Sequence, residues 1–131
     1  MTTFDWKEIL GWNPEQIQEL RFSGFSYLRE GRYDKALLFF EGLVILDPQN
    51  IYDTQTLGAL YLQMGKKDKA FTMLNQALTL DPTHEPTLLN KVKALLLLGK
   101  KEEAIPLAKT LEKSLDPTIA GDAAALLIAY S

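Results

Sequence analysis

The sequence predicts an all-α protein in which three helix-turn-helix repeats stack into a short solenoid. A six-residue motif recurs at a constant offset of 34 residues, as GRYDKA at 31–36, GKKDKA at 65–70 and GKKEEA at 99–104. The tripeptide LDP follows each copy, at 46–48, 80–82 and 115–117. Between these markers apolar residues recur at intervals of three and four, as they do on one face of an α-helix. A period in this range is typical of stacked-repeat architectures.

Each helix is predicted from local start and stop signals. We expect a short helix near 3–10, hairpins at 14–30 with 33–46, 50–64 with 67–80 and 85–98 with 101–115, and a last helix at 118–130. Asn13, Pro14 and Gln16 supply a cap, a first-turn proline and a capping-box partner. The glycine that opens each six-residue motif falls at the turn inside a hairpin, where a left-handed residue ends a helix at little cost. The Asp-Pro pair then ends each second helix.

Small residues are placed where the two helices of a hairpin must approach each other. Gly24 and Gly58 lie on the first helix of repeats one and two. Ala36 and Ala70 lie opposite them on the second helix. This arrangement predicts close helix packing in both repeats.

The third repeat departs from this pattern. Val92 stands where the other repeats have glycine, and Pro106 falls inside the predicted second helix. The distance from Pro82 to Pro117 is 35 residues, one more than from Pro48 to Pro82. Either a kink at Pro106 takes up the extra residue, or Pro106 sits in a late first turn of its helix.

These residues resemble the tetratricopeptide-repeat family over 17–117. The resemblance implies a single domain over 1–131, with an N-terminal segment at 1–16, repeats at 17–50, 51–84 and 85–118, and a capping helix at 119–131. In that family the first helices of the repeats line a concave groove that binds peptides.

Within the family, two stretches resemble the class II chaperones of bacterial type III secretion. They are YLREGRYDKALLFFEGLVILDP at 27–48 and TLGALYLQMGKKDKA at 56–70. The resemblance implies a bacterial cytoplasmic chaperone that keeps a secreted translocator subunit soluble and competent for export. The tetratricopeptide co-chaperone of the secretion needle subunit and a general protein–protein adaptor are the alternatives.

The family's groove positions give a candidate peptide-binding surface. The predicted contact residues are Arg21, Phe25, Leu28, Tyr52, Gln55, Ala59, Leu62, Leu89, Lys93 and Leu96. More than half of this surface is apolar or aromatic, which suits an extended or helical peptide with spaced hydrophobic anchors. Phe25 is the first choice for a client contact, while Arg21 and Lys93 are predicted to be solvated rim charges. For Leu28, Leu62 and Leu96 the alternative is packing against the next repeat.

Both ends of the chain are apolar. Phe4, Trp6, Ile9 and Leu10 crowd a segment too short to form a stable helix alone. They pack either on the first repeat or on a second copy, which would make a homodimer. A small heteromeric complex is the alternative assembly. The tail 119–130 carries one charge and is expected to pack one side on 101–115.

Composition narrows the class of function further. The net charge of −3 gives no electrostatic reason to expect nucleic acid or anionic lipid as a partner. The absence of cysteine excludes disulfides and thiolate metal sites. The single histidine, His84, lies in a turn and has no partner in a recognisable catalytic or metal-binding motif. We therefore expect a binding protein without cofactor, metal or enzymatic activity, neither secreted nor membrane-spanning.

Overall fold

The computed structural model describes residues 5–130, and these form eight α-helices with no strand among them. The helices are α1 (Trp6–Leu10), α2 (Pro14–Arg29), α3 (Tyr33–Leu46), α4 (Ile51–Gln63), α5 (Lys67–Leu80), α6 (Glu85–Leu97), α7 (Lys101–Leu111) and α8 (Pro117–Tyr130). The all-α prediction is confirmed.

The helices begin and end at the residues that local chemistry favours. Asn13 and Gln16 form the predicted capping box, each side chain accepting a hydrogen bond from the other residue's backbone N–H. Gly31, Gly65 and Gly99 each adopt a φ of 75° after the first helix of a hairpin. Because this left-handed conformation is strained for residues with a Cβ atom, glycine at these positions sets the hairpin turns.

Three helical hairpins stack in chain order, α2 with α3, α4 with α5 and α6 with α7. The last helix, α8, packs on both α6 and α7. The core has two clusters of buried side chains. One, centred on Phe40 and Leu57, joins the first two hairpins, and the other, centred on Val92 and Leu95, joins the third hairpin to α8.

Close packing at the two predicted glycines is confirmed. A Cβ atom built on Gly24 would lie 3.0 Å from Phe40 Cε2. A Cβ atom built on Gly58 would lie only 2.7 Å from Leu74 Cδ2. The space that glycine leaves on the first helix is therefore filled by a large side chain of the second, and no larger residue fits without displacing it.

The predicted end of α7 at residue 115 is wrong, because the helix ends at Leu111. The α7–α8 connection is tied down by Ser114, which donates a hydrogen bond to Glu85 Oε1 at 2.8 Å and accepts one from the backbone N–H of Asp116. Pro106 is the sixth residue of α7, beyond its first turn, and the helix continues through it. The third hairpin thus has a second helix of 11 residues, against 14 in α3 and α5.

The N-terminal helix is short and lightly attached. It covers residues 6–10 of the predicted 3–10, and none of its side chains is buried. It packs against α3, and Lys7 Nζ lies 3.8 Å from Asp47 Oδ1 at the end of that helix. Phe4, one of the predicted dimer contacts, lies outside the described residues.

Candidate functional site

A groove runs along the first helices of the three hairpins and contains a cavity of about 460 Å³. It is lined by α2, α4 and α6, with contributions from the start of α3. The lining residues are Phe25, Leu28, Tyr33, Gln55, Thr56, Ala59, Leu60, Gln63 and Asn90. None of these side chains carries a charge at neutral pH. The groove therefore offers apolar surface with uncharged hydrogen-bonding groups.

Helix α4 forms the floor because its two faces are divided between the core and the groove. Gly58 is buried against α5, whereas Gln55, Ala59 and Gln63 recur at intervals of four residues and line the cavity. The small side chain of Ala59 lies at the centre of this stripe. Its size leaves room that a larger residue would fill.

Phe25 lies between the groove and the core. Its ring meets Phe40 edge to face, with ring centroids 5.0 Å apart and an interplanar angle of 76°. Because Phe40 is fully buried, this contact holds the Phe25 ring in place on the side that faces the core. The half-buried ring also lines the cavity. Phe25 is thus both a packing residue and a candidate client contact.

Two amides join repeats two and three across the groove. Asn90 Nδ2 on α6 donates a hydrogen bond to Gln55 Oε1 on α4. The Oδ1 acceptor of Asn90 and the Nε2 donor group of Gln55 take no part in this bond. The pair can therefore hydrogen-bond the backbone of an extended peptide lying over it.

The prediction that Arg21 is a solvated rim charge is wrong. Its Nε and Nη2 atoms donate to Asp53 at 2.8 and 2.6 Å, and Nη2 also donates to Asp47 at 2.9 Å. Asp53 is fully buried. The hydrogen bonds with Asp53 raise the pKa of Arg21 above its ordinary value, although burial acts in the opposite direction. Arg21 is a structural ion-pair residue that links α2 to α4 and to the segment between α3 and α4.

The prediction that Leu89 contacts a peptide in the groove is also wrong. Only 5% of this side chain is exposed, and it belongs to the cluster that includes Ile119 and Ala123 of α8. Because α8 packs on α6, the position that lines the groove in repeat two is covered in repeat three. Leu89 therefore does not reach a peptide in the groove.

Four of the other predicted contact residues do not line the cavity, and these are Tyr52, Leu62, Lys93 and Leu96. Leu62 and Leu96 are half-buried and pack against the first and second core clusters. Tyr52 is 61% exposed, and its ring meets that of His84 edge to face. Lys93 is half-buried and is not among the residues that line the cavity. Phe25, Leu28, Gln55 and Ala59 are the four predicted contacts that the cavity brings together.

Sequence reasoning missed five lining residues, which are Tyr33, Thr56, Leu60, Gln63 and Asn90. Thr56 and Gln63 follow from the helical spacing of Ala59, since they lie three and four residues from it. Tyr33 begins α3 directly after the hairpin turn. Its approach to the groove depends on how the hairpins stack, which the sequence of one repeat does not show.

Within residues 5–130 no three histidine, cysteine or carboxylate side chains converge as a metal site would require. None of the helices there combines the length and hydropathy needed to span a bilayer.

The fold and the groove define a tetratricopeptide-like helical-repeat domain. The sequence model of the family "anaphase-promoting complex, cyclosome, subunit 3" matches residues 29–111, more than half of the chain. The chain belongs to this family of repeat proteins. Among curated proteins no sequence matches it significantly.

Solved structures of secretion chaperones share the whole fold. The translocator chaperone SycD of Yersinia enterocolitica is 18% identical with a TM-score of 0.81, covering 98% of this chain and 99% of that one. SycD in complex with a peptide of the translocator YopD is 20% identical with a TM-score of 0.81, covering 90% and 94%. PcrH from Pseudomonas aeruginosa is 20% identical with a TM-score of 0.79, covering 90% and 93%. At these identities the likeness is one of fold.

Proposed function

We propose that this protein is a bacterial cytoplasmic chaperone of type III secretion. It binds a segment of a translocator subunit in the concave groove and keeps that subunit soluble before export. The role is one of binding rather than catalysis. The fold likeness to SycD, including its complex with a YopD peptide, supports this class of client.

The observation that carries the proposal is the uncharged groove over α4. Apolar walls from Phe25 and Leu28 stand beside the amide pair of Gln55 and Asn90. Apolar pockets accept hydrophobic side chains, and the amides accept or donate to the peptide backbone between them. A client segment with spaced apolar anchors matches this surface, and a highly charged one does not.

The energetics suit a chaperone that must release its client. Burial of apolar surface contributes about 25 cal/mol per Å², so a few anchors supply several kcal/mol. Ordering the client and immobilising it offset much of this gain. The net affinity is moderate and compatible with handover to an export apparatus.

Recognition of a C-terminal carboxylate is disfavoured by the same residues. Such a site needs free cationic and amide donors on the concave face. The guanidinium of Arg21 is held by Asp47 and Asp53. No lysine or arginine is among the residues that line the cavity. The groove therefore selects for apolar side chains along the client rather than for a terminal charge.

The test is a substitution that fills the groove without touching the core. Ala59→Trp should weaken binding of the client segment at least about 30-fold, because tryptophan occupies the space of an anchor. The matched control is Ala125→Trp, at an exposed alanine of α8, which should leave the affinity unchanged. Binding is measured by isothermal titration calorimetry, with helicity checked by circular dichroism.

The choice of client separates the proposal from its alternatives. The chain is co-expressed in turn with the translocator and needle subunits of the same secretion system, and the soluble fraction of each is measured. We expect the translocator to become soluble with the wild-type chain and not with Ala59→Trp. Solubilisation of the needle subunit alone would assign the needle co-chaperone role. Binding of a folded protein, unaffected by Ala59→Trp, would assign a general adaptor.

A further inference from the structure

Two lysines from different elements lie over one aromatic ring where the second and third hairpins meet. Lys91 Nζ of α6 is 5.7 Å from the centre of the Phe71 ring of α5, and Lys100 Nζ, directly before α7, is 5.5 Å from it. The ring attracts both ammonium groups but leaves their charges in place. Among residues 5–130 neither group forms an ion pair with a carboxylate. Because two like charges near one ring repel each other, an anion between them would stabilise both.

The same edge of the stack carries further lysines. The turns inside the second and third hairpins lie side by side there, since α4 to α7 pack in chain order. Lys67 Nζ donates a hydrogen bond to the backbone O of Leu97 at the end of α6, at 3.4 Å, so it lies beside the turn that leads to Lys100.

Lysines outnumber carboxylates around these two turns and the Phe71 ring. The lysines are Lys66, Lys67, Lys69, Lys91, Lys100 and Lys101, which are called the lysine edge below. The carboxylates are Asp68, Glu102 and Glu103, in the first turns of α5 and α7. Five of the six lysines are exposed, and Lys91 is half-buried. This edge is therefore positive, although the whole chain has a net charge of −3.

We propose that the lysine edge binds an acidic segment of a partner protein, with one carboxylate held between Lys91 and Lys100 beside the Phe71 ring. The contacts with the ring hold the two ammonium groups in place before the partner arrives, which lowers the entropy cost of binding. The residues that line the cavity of the concave groove include none of the lysine edge. The edge is thus a second binding site that does not depend on the function proposed for the groove.

The distribution of charge favours a short acidic peptide over a nucleic acid. The ends of α5 and α7 and the connection before α8, at the opposite edge of the stack, carry Asp81, Glu112 and Asp116. A long polyanion would extend beyond the lysine edge and meet these carboxylates, whereas a short segment would not. The lysine edge also contains no arginine, the residue whose planar fork suits phosphate at two points, and an ammonium group suits a single carboxylate.

The test measures binding of a fluorescein-labelled oligoglutamate peptide to the full chain by fluorescence anisotropy at low ionic strength. The wild-type chain should bind it, and an oligoglutamine peptide of the same length should not bind. Lys91→Gln combined with Lys100→Gln should weaken binding about 10-fold, because both charges at the ring are lost. The matched control is Lys109→Gln combined with Lys113→Gln, which removes the same net charge from exposed positions elsewhere. It should change the affinity less than about 2-fold.

A third variant tests whether the ring organises the site. Phe71→Leu keeps every charge and an apolar side chain, but it removes the face that holds the two ammonium groups. It should weaken peptide binding about 3-fold, with helicity unchanged by circular dichroism. General attraction to a positive surface would leave the affinity of this variant at the wild-type value.

Three outcomes would overturn the proposal. The first is no binding of oligoglutamate by the wild-type chain, and the second is equal weakening in the two double variants. The third is tighter binding of an oligothymidylate of equal length that is lost with Lys91→Gln and Lys100→Gln, which would assign the edge to phosphate. Ala59→Trp should leave oligoglutamate binding unchanged, and the lysine variants should leave client binding unchanged. Failure of one site is therefore distinguishable from failure of the other.

Discussion

The guanidinium of Arg21 joins three consecutive segments of the stack through two carboxylates. It forms a two-point contact with the buried Asp53 and a third bond to Asp47, which also lies near Lys7 of α1. A buried carboxylate is stable only while its cation remains in place. The relative position of the first two repeats, and hence the width of the groove between them, depends on this cluster.

Arg21→Ala should lower the free energy of unfolding by about 3 kcal/mol, since it leaves the charge of Asp53 buried without its cation. The measurement is urea unfolding followed by circular dichroism at neutral pH. Arg29→Ala is the matched control, because Arg29 is exposed and contacts Ser26 on its own helix. It should cost under about 0.5 kcal/mol. Equal losses for both variants would show that the cluster contributes no specific stability.

Equivalent positions of the three repeats explain why the site was only partly predictable. Arg21, Gln55 and Leu89 are separated by 34 residues each, and the repeat pattern assigns all three to the groove. In the structure the first is ion-paired, the second lines the cavity and the third is buried. The differences arise from what the neighbouring segment presents, which is Asp53 for the first and α8 for the third. A periodic sequence pattern does not include those neighbours.

At the scale of the helix, the interior contacts of each hairpin decide which residues are tolerated. The α4–α5 hairpin has no room beside Gly58, where an added Cβ would lie 2.7 Å from Leu74. The α8 helix has open space beside Gly121. Two glycines with the same helical backbone thus have opposite environments.

Gly58→Ala should destabilise the protein by about 1–3 kcal/mol, because Leu74 must shift within a packed core. Gly121→Ala should instead stabilise it by about 0.5–1 kcal/mol, because alanine lowers the entropy cost of helix formation and meets no neighbour. Thermal and urea unfolding of both variants gives the comparison. Stabilisation by both substitutions would mean that the close contact at Gly58 relaxes without cost.

Helix boundaries were predictable wherever the signal is local. The starts and ends of α2 to α6 lie within one residue of prediction, because glycine turns, Asn13 and the Asp-Pro pairs act on adjacent backbone. The end of α7 was missed because Ser114 is held by Glu85, which lies 29 residues earlier in the chain. A contact between residues so far apart in the chain cannot be predicted from the sequence around the end of α7.

For the whole molecule, α8 covers the open end of the stack. Ile119 and Ala123 are buried within the second core cluster, while the far side of the helix leaves Ile128 79% exposed. Without α8, Leu89 and other members of that cluster would face water. A repeat stack needs such a terminal helix to remain soluble.

Deleting residues 119–131 should therefore cause aggregation, because it exposes the second core cluster. Light scattering during expression and refolding of the truncated chain provides the measurement. The control variant is Leu115→Glu, which changes a fully exposed side chain in the preceding connection and should remain soluble. A truncated chain that stays soluble, with the helicity expected for α1 to α7, would contradict the capping role.

The shortened α7 also limits where further repeats could be inserted in this protein. A duplicated unit inserted between the first two hairpins would keep the 34-residue phase and simply lengthen the array. A unit added after Leu111 would follow a helix three residues shorter than α3 and α5. It would also separate α7 from Ser114, whose side chain is hydrogen-bonded to Glu85. A duplicated unit therefore fits between the first two hairpins, whereas insertion directly after α7 requires a longer α7 and loss of the Ser114–Glu85 hydrogen bond.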